Sequence, residues 1–272
     1  MTTDPIRPHN AKAATTWGAP GALYEDISRG IADASQHCVD RLAVRPGEHV
    51  LDVACGTGWA SRSIATRVPQ AVVHGVDIAS GLLEAARTAA TGARLSIDYR
   101  LGDAEKLPFE DGRFDVVIST FGVMFASQPD AASGELARVV KKGGRVGITT
   151  WKPDSTVFEM FMVMKPYLPE PPSPPPPSPF AWGSRDRVRE LLGGSFVLGF
   201  EDGVSCFRAP SAEGAWEIWT HNYGPTRALA ANLPPDRLAS FRRDMAAFHE
   251  RFATELGISK PREYLLTIAT RK

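Results

Sequence analysis

The sequence predicts an α/β fold with a doubly wound sheet of largely parallel strands. Two observations predict it. Between residues 48 and 151 short β-branched runs alternate with stretches of helical periodicity, the signature of βαβ units feeding a parallel sheet. Within that region the apolar run Val50-Leu51-Asp52-Val53 leads straight into a glycine turn, Ala54-Cys55-Gly56-Thr57-Gly58, and then into a helix. At 272 residues the chain is long for one domain and short for two, which suits one large α/β domain carrying extra material.

Taken in order, residues 1–46 form an N-terminal helical segment. A polar start is followed by Leu23, Ile27, Ile31, Ala34, Val39 and Leu42 at helical spacing, up to the stop Arg45-Pro46-Gly47. Residues 47–155 form the core, with strands expected at 49–53, 72–77, 96–100, 114–120 and 145–151 and helices at 59–68, 80–90 and 129–140. Residues 168–179, LPEPPSPPPPSP, cannot donate to a ladder and are expected to run as an extended, stiff strap. Beyond them lie a helix at 185–192, one or two strands at 195–208, helices at 212–221 and 235–256, and a closing strand at 264–270. Residues 156–272 thus combine late sheet strands with a partial helical lid.

Lys plus Arg equals Asp plus Glu, 31 against 31, so the broad positive field of a nucleic-acid binder is missing and none is expected as partner. Cys38, Cys55 and Cys206 are widely spaced and odd in number, a poor match to disulfides or a zinc site. No metal is expected, and a reducing cytoplasm fits. The first twenty residues lack the apolar core of a leader, and no run approaches the roughly eighteen apolar residues of a membrane span.

The glycine turn allows close approach of a ligand, since Gly56 and Gly58 carry no Cβ and can expose N–H groups at the helix start. Asp77, ending the second strand about twenty residues on, can accept both hydroxyls of an adenosine ribose. Two details weigh against a nicotinamide-dependent oxidoreductase, the main alternative. Ser61 stands where a dinucleotide fold wants a third glycine, and Asp52 would repel a pyrophosphate while accepting from an ammonium group.

The third element is Gly102-Asp103-Ala104-Glu105-Lys106-Leu107-Pro108-Phe109. LDVACGTG, GVDIASGLLEAAR, GDAEKLPFEDGRFDVVIST and ELARVVKKGGRVGITTW follow one another from about residue 50 to 151. In this series the chain resembles the class I S-adenosylmethionine-dependent methyltransferases, particularly the branch with the quinone-ring C-methyltransferases. The resemblance implies a Rossmann-like sheet with an antiparallel last strand. It also implies S-adenosylmethionine as cofactor, with Asp52 and the backbone of Ala54, Gly56 and Gly58 on the methionine part and Asp77 on the ribose. Asp103 and the Ala104 N–H would meet the adenine edge, Ile78 and Leu82 its face, and the backbone near Ser119 would lie under the methionine. Ala54 departs from the family, which more often has glycine there.

A sulfonium methyl is already electrophilic, so such an enzyme must mainly place an acceptor in line and exclude water. A small-molecule acceptor is expected. The chain has Ser119-Thr120-Phe121-Gly122 where base methyltransferases carry a Pro-Pro-aromatic stretch. Candidate substrate contacts are Tyr24, Phe121, Met124, Trp182, His221 and Tyr223, with Trp17, Phe125, Trp216 and Trp219 also available; all equally suit a lid core. His221 is the candidate general base, His249 reads as a surface residue, and Cys55 as a packing residue. A catalytically silent cofactor binder has the same pocket residues.

Overall fold

The computed structural model describes residues 5–170, 173 and 175–272. Its strands are β1 (His49–Val53), β2 (Val72–Asp77), β3 (Asp98–Leu101), β4 (Phe114–Thr120), β5 (Val140–Trp151), β6 (Phe196–Ala209), β7 (Ala253–Thr254) and β8 (Gly257–Arg271). Its helices are α1 (Ala11–Gly18), α2 (Tyr24–Arg29), α3 (Ala32–Leu42), α4 (Trp59–Arg67), α5 (Ser80–Gly92), α6 (Pro129–Val139), α7 (Thr156–Met164), α8 (Arg185–Leu192), α9 (Ala212–Asn222), α10 (Gly224–Asn232) and α11 (Pro235–Glu250).

The sheet order is β3-β2-β1-β4-β5-β8-β6. The first five strands pair in parallel, and β8 enters antiparallel between β5 and β6. The chain direction across the sheet reverses between β1 and β4, so the carboxyl ends of β1, β2 and β4 open on a crevice where a ligand can sit. Helices α3 and α4 pack on each other and on β2, β4 and β5, while α6 and α8 pack on each other and on β5 and β6. The main core is made by the inward residues of these strands, among them Leu51, Phe114, Ile118 and Leu266. A second apolar cluster, with Met160, Phe207, Trp219, Phe241 and Phe248, joins α7, α9 and α11 to β6.

Several expectations need adjustment. β5 starts earlier than residue 145, because Phe114 pairs with Val140 before an irregularity brings Val116 opposite Arg145. The region 195–208 is one strand, paired with β8 along its whole length. The helix expected over 235–256 ends at Glu250, where the chain turns into β7 to pair with the start of β8. α1, α7 and α10 were not anticipated, although two carry start signals. Ser155 caps α7 by accepting from the Phe158 N–H, and α10 has Pro225 in its first turn. His249 is fully buried rather than at the surface. Of the expected strap, residues 171, 172 and 174 lie outside the described residues; the others from 168 to 178 are exposed and form no helix or strand, and Pro179 is half-buried at the start of a 3-10 turn. Among the described residues no helix is long and apolar enough to cross a membrane.

Candidate functional site

The site grows out of the turn after β1. Ala54, Gly56 and Gly58 all take left-handed backbone angles, with φ of 53°, 56° and 76°. That conformation costs a non-glycine residue roughly 1–2 kcal/mol, so Ala54 is a strained position held by its surroundings. Its methyl is accommodated because residue 122 is glycine: a Cβ there would lie 2.6 Å from the Ala54 Cβ and 2.7 Å from its carbonyl oxygen. Gly122→Ala is therefore expected to cost about 1–3 kcal/mol by overpacking, read as a lower Tm; an unchanged Tm would show that the turn yields freely.

At the end of β2, Asp77 fixes the turn from the other side. Its carboxylate accepts from the Gly56 N–H at 2.8 Å and from the Ala79 N–H at 2.8 Å. Burial raises its pKa, while these backbone donors pull the other way. Asp77, Ala54 and Gly56 face a cleft with about 1000 Å³ of atom-free space, part of it open to solvent. Ile78, Leu82, Asp103 and Ala104 form the adjoining wall, and Tyr24 and Phe121 stand on it as well.

Other residues expected at the cleft stand behind it. Asp52 is 1% exposed and turned into the fold, where its Oδ2 accepts from the Ser61 N–H at 3.0 Å and hydroxyl at 2.6 Å. Burial pushes its carboxyl up to about 7, and its Oδ1 has no hydrogen-bond partner. Ser61, the residue in place of a third glycine, thus ties α4 to β1. Gly58 lies under Tyr99, whose hydroxyl would be 2.1 Å from a Cβ there, so packing and its φ account for this glycine. Ser119 is fully buried; its hydroxyl donates to the Val53 carbonyl at 2.7 Å and accepts from the Val123 N–H at 3.0 Å. Met124 and Trp182 are core residues, each 1% exposed. His221 is exposed and lines neither cavity, its Nδ1 hydrogen-bonded to the Glu217 carbonyl at 2.9 Å. It is withdrawn as a candidate base.

The N-terminal segment contributes what the motifs did not reveal. Asn10 donates from Nδ2 to Asp103 at 2.8 Å, the Arg7 N–H donates to the same oxygen at 3.1 Å, and His9 meets Glu105 at 2.7 Å. Asn10 and Trp17 thereby become cleft walls, with Ser28, Ser35, Trp59 and Thr120 added from α2, α3, α4 and β4. Trp17 rests on Phe125 at a ring separation of 4.8 Å and edge-on against Tyr223 at 5.3 Å. Phe121, also left-handed at φ 53°, stacks on Trp151 at 3.7 Å.

Behind this aromatic wall is a second, smaller cavity that shares Tyr24, Ile31, Phe121 and Phe125 with the cleft and carries Tyr223. Tyr24 and Tyr223 face each other there, rings stacked at 6.4 Å. Burial raises the pKa of both phenols and of the Cys55 thiol at the cleft, so all three stay protonated at neutral pH. Among the described residues no cluster of three or more His, Cys, Asp or Glu side chains could hold a metal.

Known proteins resemble this chain in sequence and in fold. Residues 50–144 match the sequence family described as a methyltransferase domain. An uncharacterized protein of Mycobacterium tuberculosis is 32% identical over 283 residues, covering all of both chains. A ubiquinone/menaquinone biosynthesis C-methyltransferase of Burkholderia cenocepacia is 37% identical over 147 residues, covering 50% of this chain and 60% of that one. Among solved structures, the YcgJ protein of Bacillus subtilis superposes with a TM-score of 0.63 at 19% identity, covering 88% of this chain and 98% of that one, a likeness of fold.

Proposed function

Because the chain belongs to the class I S-adenosylmethionine-dependent methyltransferases, we propose that the cleft above β1 and β2 holds the cofactor and that the acceptor is a small molecule seated against the aromatic wall. The observation that carries this reading is the convergence of Asp77, Asp103 and the left-handed backbone of Ala54 and Gly56 on one cleft walled across by Trp17, Tyr24 and Phe121.

The donor set fits the cofactor. Asp77 retains acceptor capacity for a ribose diol beyond its two backbone bonds, and Gly56 leaves room for close approach, since a Cβ there would meet only the Tyr24 ring at 3.7 Å. Asp103 and the Ala104 backbone suit an adenine edge, and Ile78 and Leu82 its face. The cofactor supplies an activated methyl on sulfur. Asp52 acts here as the residue that anchors α4 beneath the turn through Ser61.

On the acceptor side the protein offers hydroxyl donors and apolar surface rather than a base. Tyr24, Tyr223 and Cys55 are held protonated by burial, and among the described residues neither cavity is lined by a histidine. The chain's own contribution is therefore placement and exclusion of water. An acceptor whose attacking atom already carries a free lone pair suits such a site.

Calorimetric titration with S-adenosylhomocysteine and, separately, NADH tests the cleft assignment. Micromolar binding of the first and none of the second is expected. Preference for NADH, or no binding of either, would sink it.

A further inference from the structure

The second cavity contains one charged side chain on its wall, Arg262 of β8. It is 3% exposed, deep between rings, with its guanidinium 5.5 Å from the centre of Trp151 and 5.7 Å from Phe207. A buried guanidinium ordinarily sits against a carboxylate, because an unpaired buried charge is costly. Arg262 has none: among the described residues no acidic oxygen lies within ion-pair distance of it. Its protein acceptors, the Gly30 carbonyl and the Ser205 hydroxyl at 2.9 Å, both lie on Nη2. Nε is buried with no partner at all. The nearest compensation is indirect, through Ser205, whose hydroxyl donates to Asp33 at 2.8 Å. Burial lowers the guanidinium pKa to about 10, which still leaves it charged at neutral pH.

The remaining wall is aromatic and aliphatic, and four of its residues also wall the cofactor cleft. A molecule lying there would meet both the buried guanidinium and the wall of Tyr24 and Phe121 that the cavity shares with the cleft. We propose that this cavity binds the methyl acceptor and that the acceptor is a flat, largely apolar molecule bearing a carboxylate, which Arg262 holds. A monoanion matches the single positive charge on the wall; a dianion would leave excess negative charge buried without a partner. A neutral acceptor would leave Nε without a partner and the cation with only the Gly30 carbonyl, the Ser205 hydroxyl and two ring faces. The placement also assigns Arg262 to recognition, since it fixes which end of the acceptor faces the cleft. The inference rests on the cleft being the cofactor site.

The test uses the whole protein and a matched pair of probes, 2-naphthoate and its neutral amide 2-naphthamide. Each is titrated calorimetrically with and without saturating S-adenosylhomocysteine. The naphthoate is expected to bind, and the amide roughly tenfold or more weaker, the effect of one charge-assisted hydrogen bond. Arg262→Met is expected to bring naphthoate down to the affinity of the amide while leaving that of S-adenosylhomocysteine unchanged, and Arg262→Lys to recover part of the difference. Equal binding of the two probes, absence of naphthoate binding, or naphthoate binding indifferent to Arg262→Met would each overturn the proposal. The wild-type probe pair decides the matter even if Arg262→Met fails to fold. Failure of S-adenosylhomocysteine to bind wild-type protein would instead count against the cleft assignment, and the two failures are read separately.

Discussion

Replacing Asp77 with alanine is expected to weaken S-adenosylhomocysteine binding by roughly 100-fold, because hydrogen bonds to a charged group each contribute about 1.5–3 kcal/mol. The same carboxylate also holds the Gly56 and Ala79 N–H groups, so part of the loss comes through a loosened turn. Two measurements separate these contributions. Thermal unfolding of the unliganded variant reports the turn alone, with an expected loss of about 1–3 kcal/mol. Asp77→Asn retains a carbonyl for one backbone donor and is expected to bind the ligand about tenfold more weakly than wild type. An Asp77→Ala protein with unaltered affinity would remove Asp77 from the site.

Lys260→Met is expected to make the protein more stable by roughly 2–4 kcal/mol at neutral pH and below, raising Tm by about 5–10 °C. The Lys260 ammonium is completely buried, enclosed by the rings of Phe207, Trp219 and Phe248 at 5.2–5.8 Å, and it donates to the Met160 sulfur at 3.8 Å. Burial, reinforced by Arg262, lowers its pKa to about 7 against the attraction of Glu263 and Glu159. The neighbouring His249 is driven down to about 4, first by its own burial and then by Lys260. Between about pH 7 and the unfolded value near 10.4 the unfolded chain binds the extra proton. Stability from this group therefore rises with pH across that window and is lowest, and constant, below it. Methionine fills similar space without the charge, so the variant should both gain stability and lose that rise. Tm measured from pH 6 to 10 for both proteins checks it; a variant less stable than wild type at pH 6 would mean that the aromatic rings more than offset the desolvation of the cation.

The parts of the site carried by short-range patterns were readable from the chain. The turn at Ala54–Gly58 and Asp77 follow from short β-branched runs that end in a glycine turn and in an acid, while Asp103 is implied by the resemblance of its GDAEKLPF segment to the family. What that pattern does not contain is the direction of a side chain across a strand end. Asp52 is on a strand that ends at the cleft, yet its side chain turns inward to Ser61; at Ser119 the expectation concerned the backbone, and the next residue, Thr120, lines the cleft. His221 failed as a base for a related reason: the end of α9 is near the aromatic wall, as Tyr223 shows, but this residue points to solvent. Trp17 is among the aromatic candidates and does wall the cleft, whereas Asn10 and Arg262 are not placed because their partners are far along the chain. Asn10 meets Asp103 across 93 residues, and Arg262 meets Gly30 across 232. Contacts over such separations leave no local periodicity to read.

The position of β8 has a consequence for the order in which the molecule can assemble. Among the described residues, β1 to β5 occupy one continuous stretch of chain and pair only with one another and with β8, so five parallel strands can align without any later segment. β6 has no such independence. Among the described residues its one neighbour in the sheet is β8, made after three intervening helices, so it cannot join the sheet before that strand exists. Lys260 and Arg262 travel on the inserted strand. The strand that joins the parallel strands to β6 therefore also carries both buried cations, and the cavity behind the aromatic wall owes its charge to that same strand.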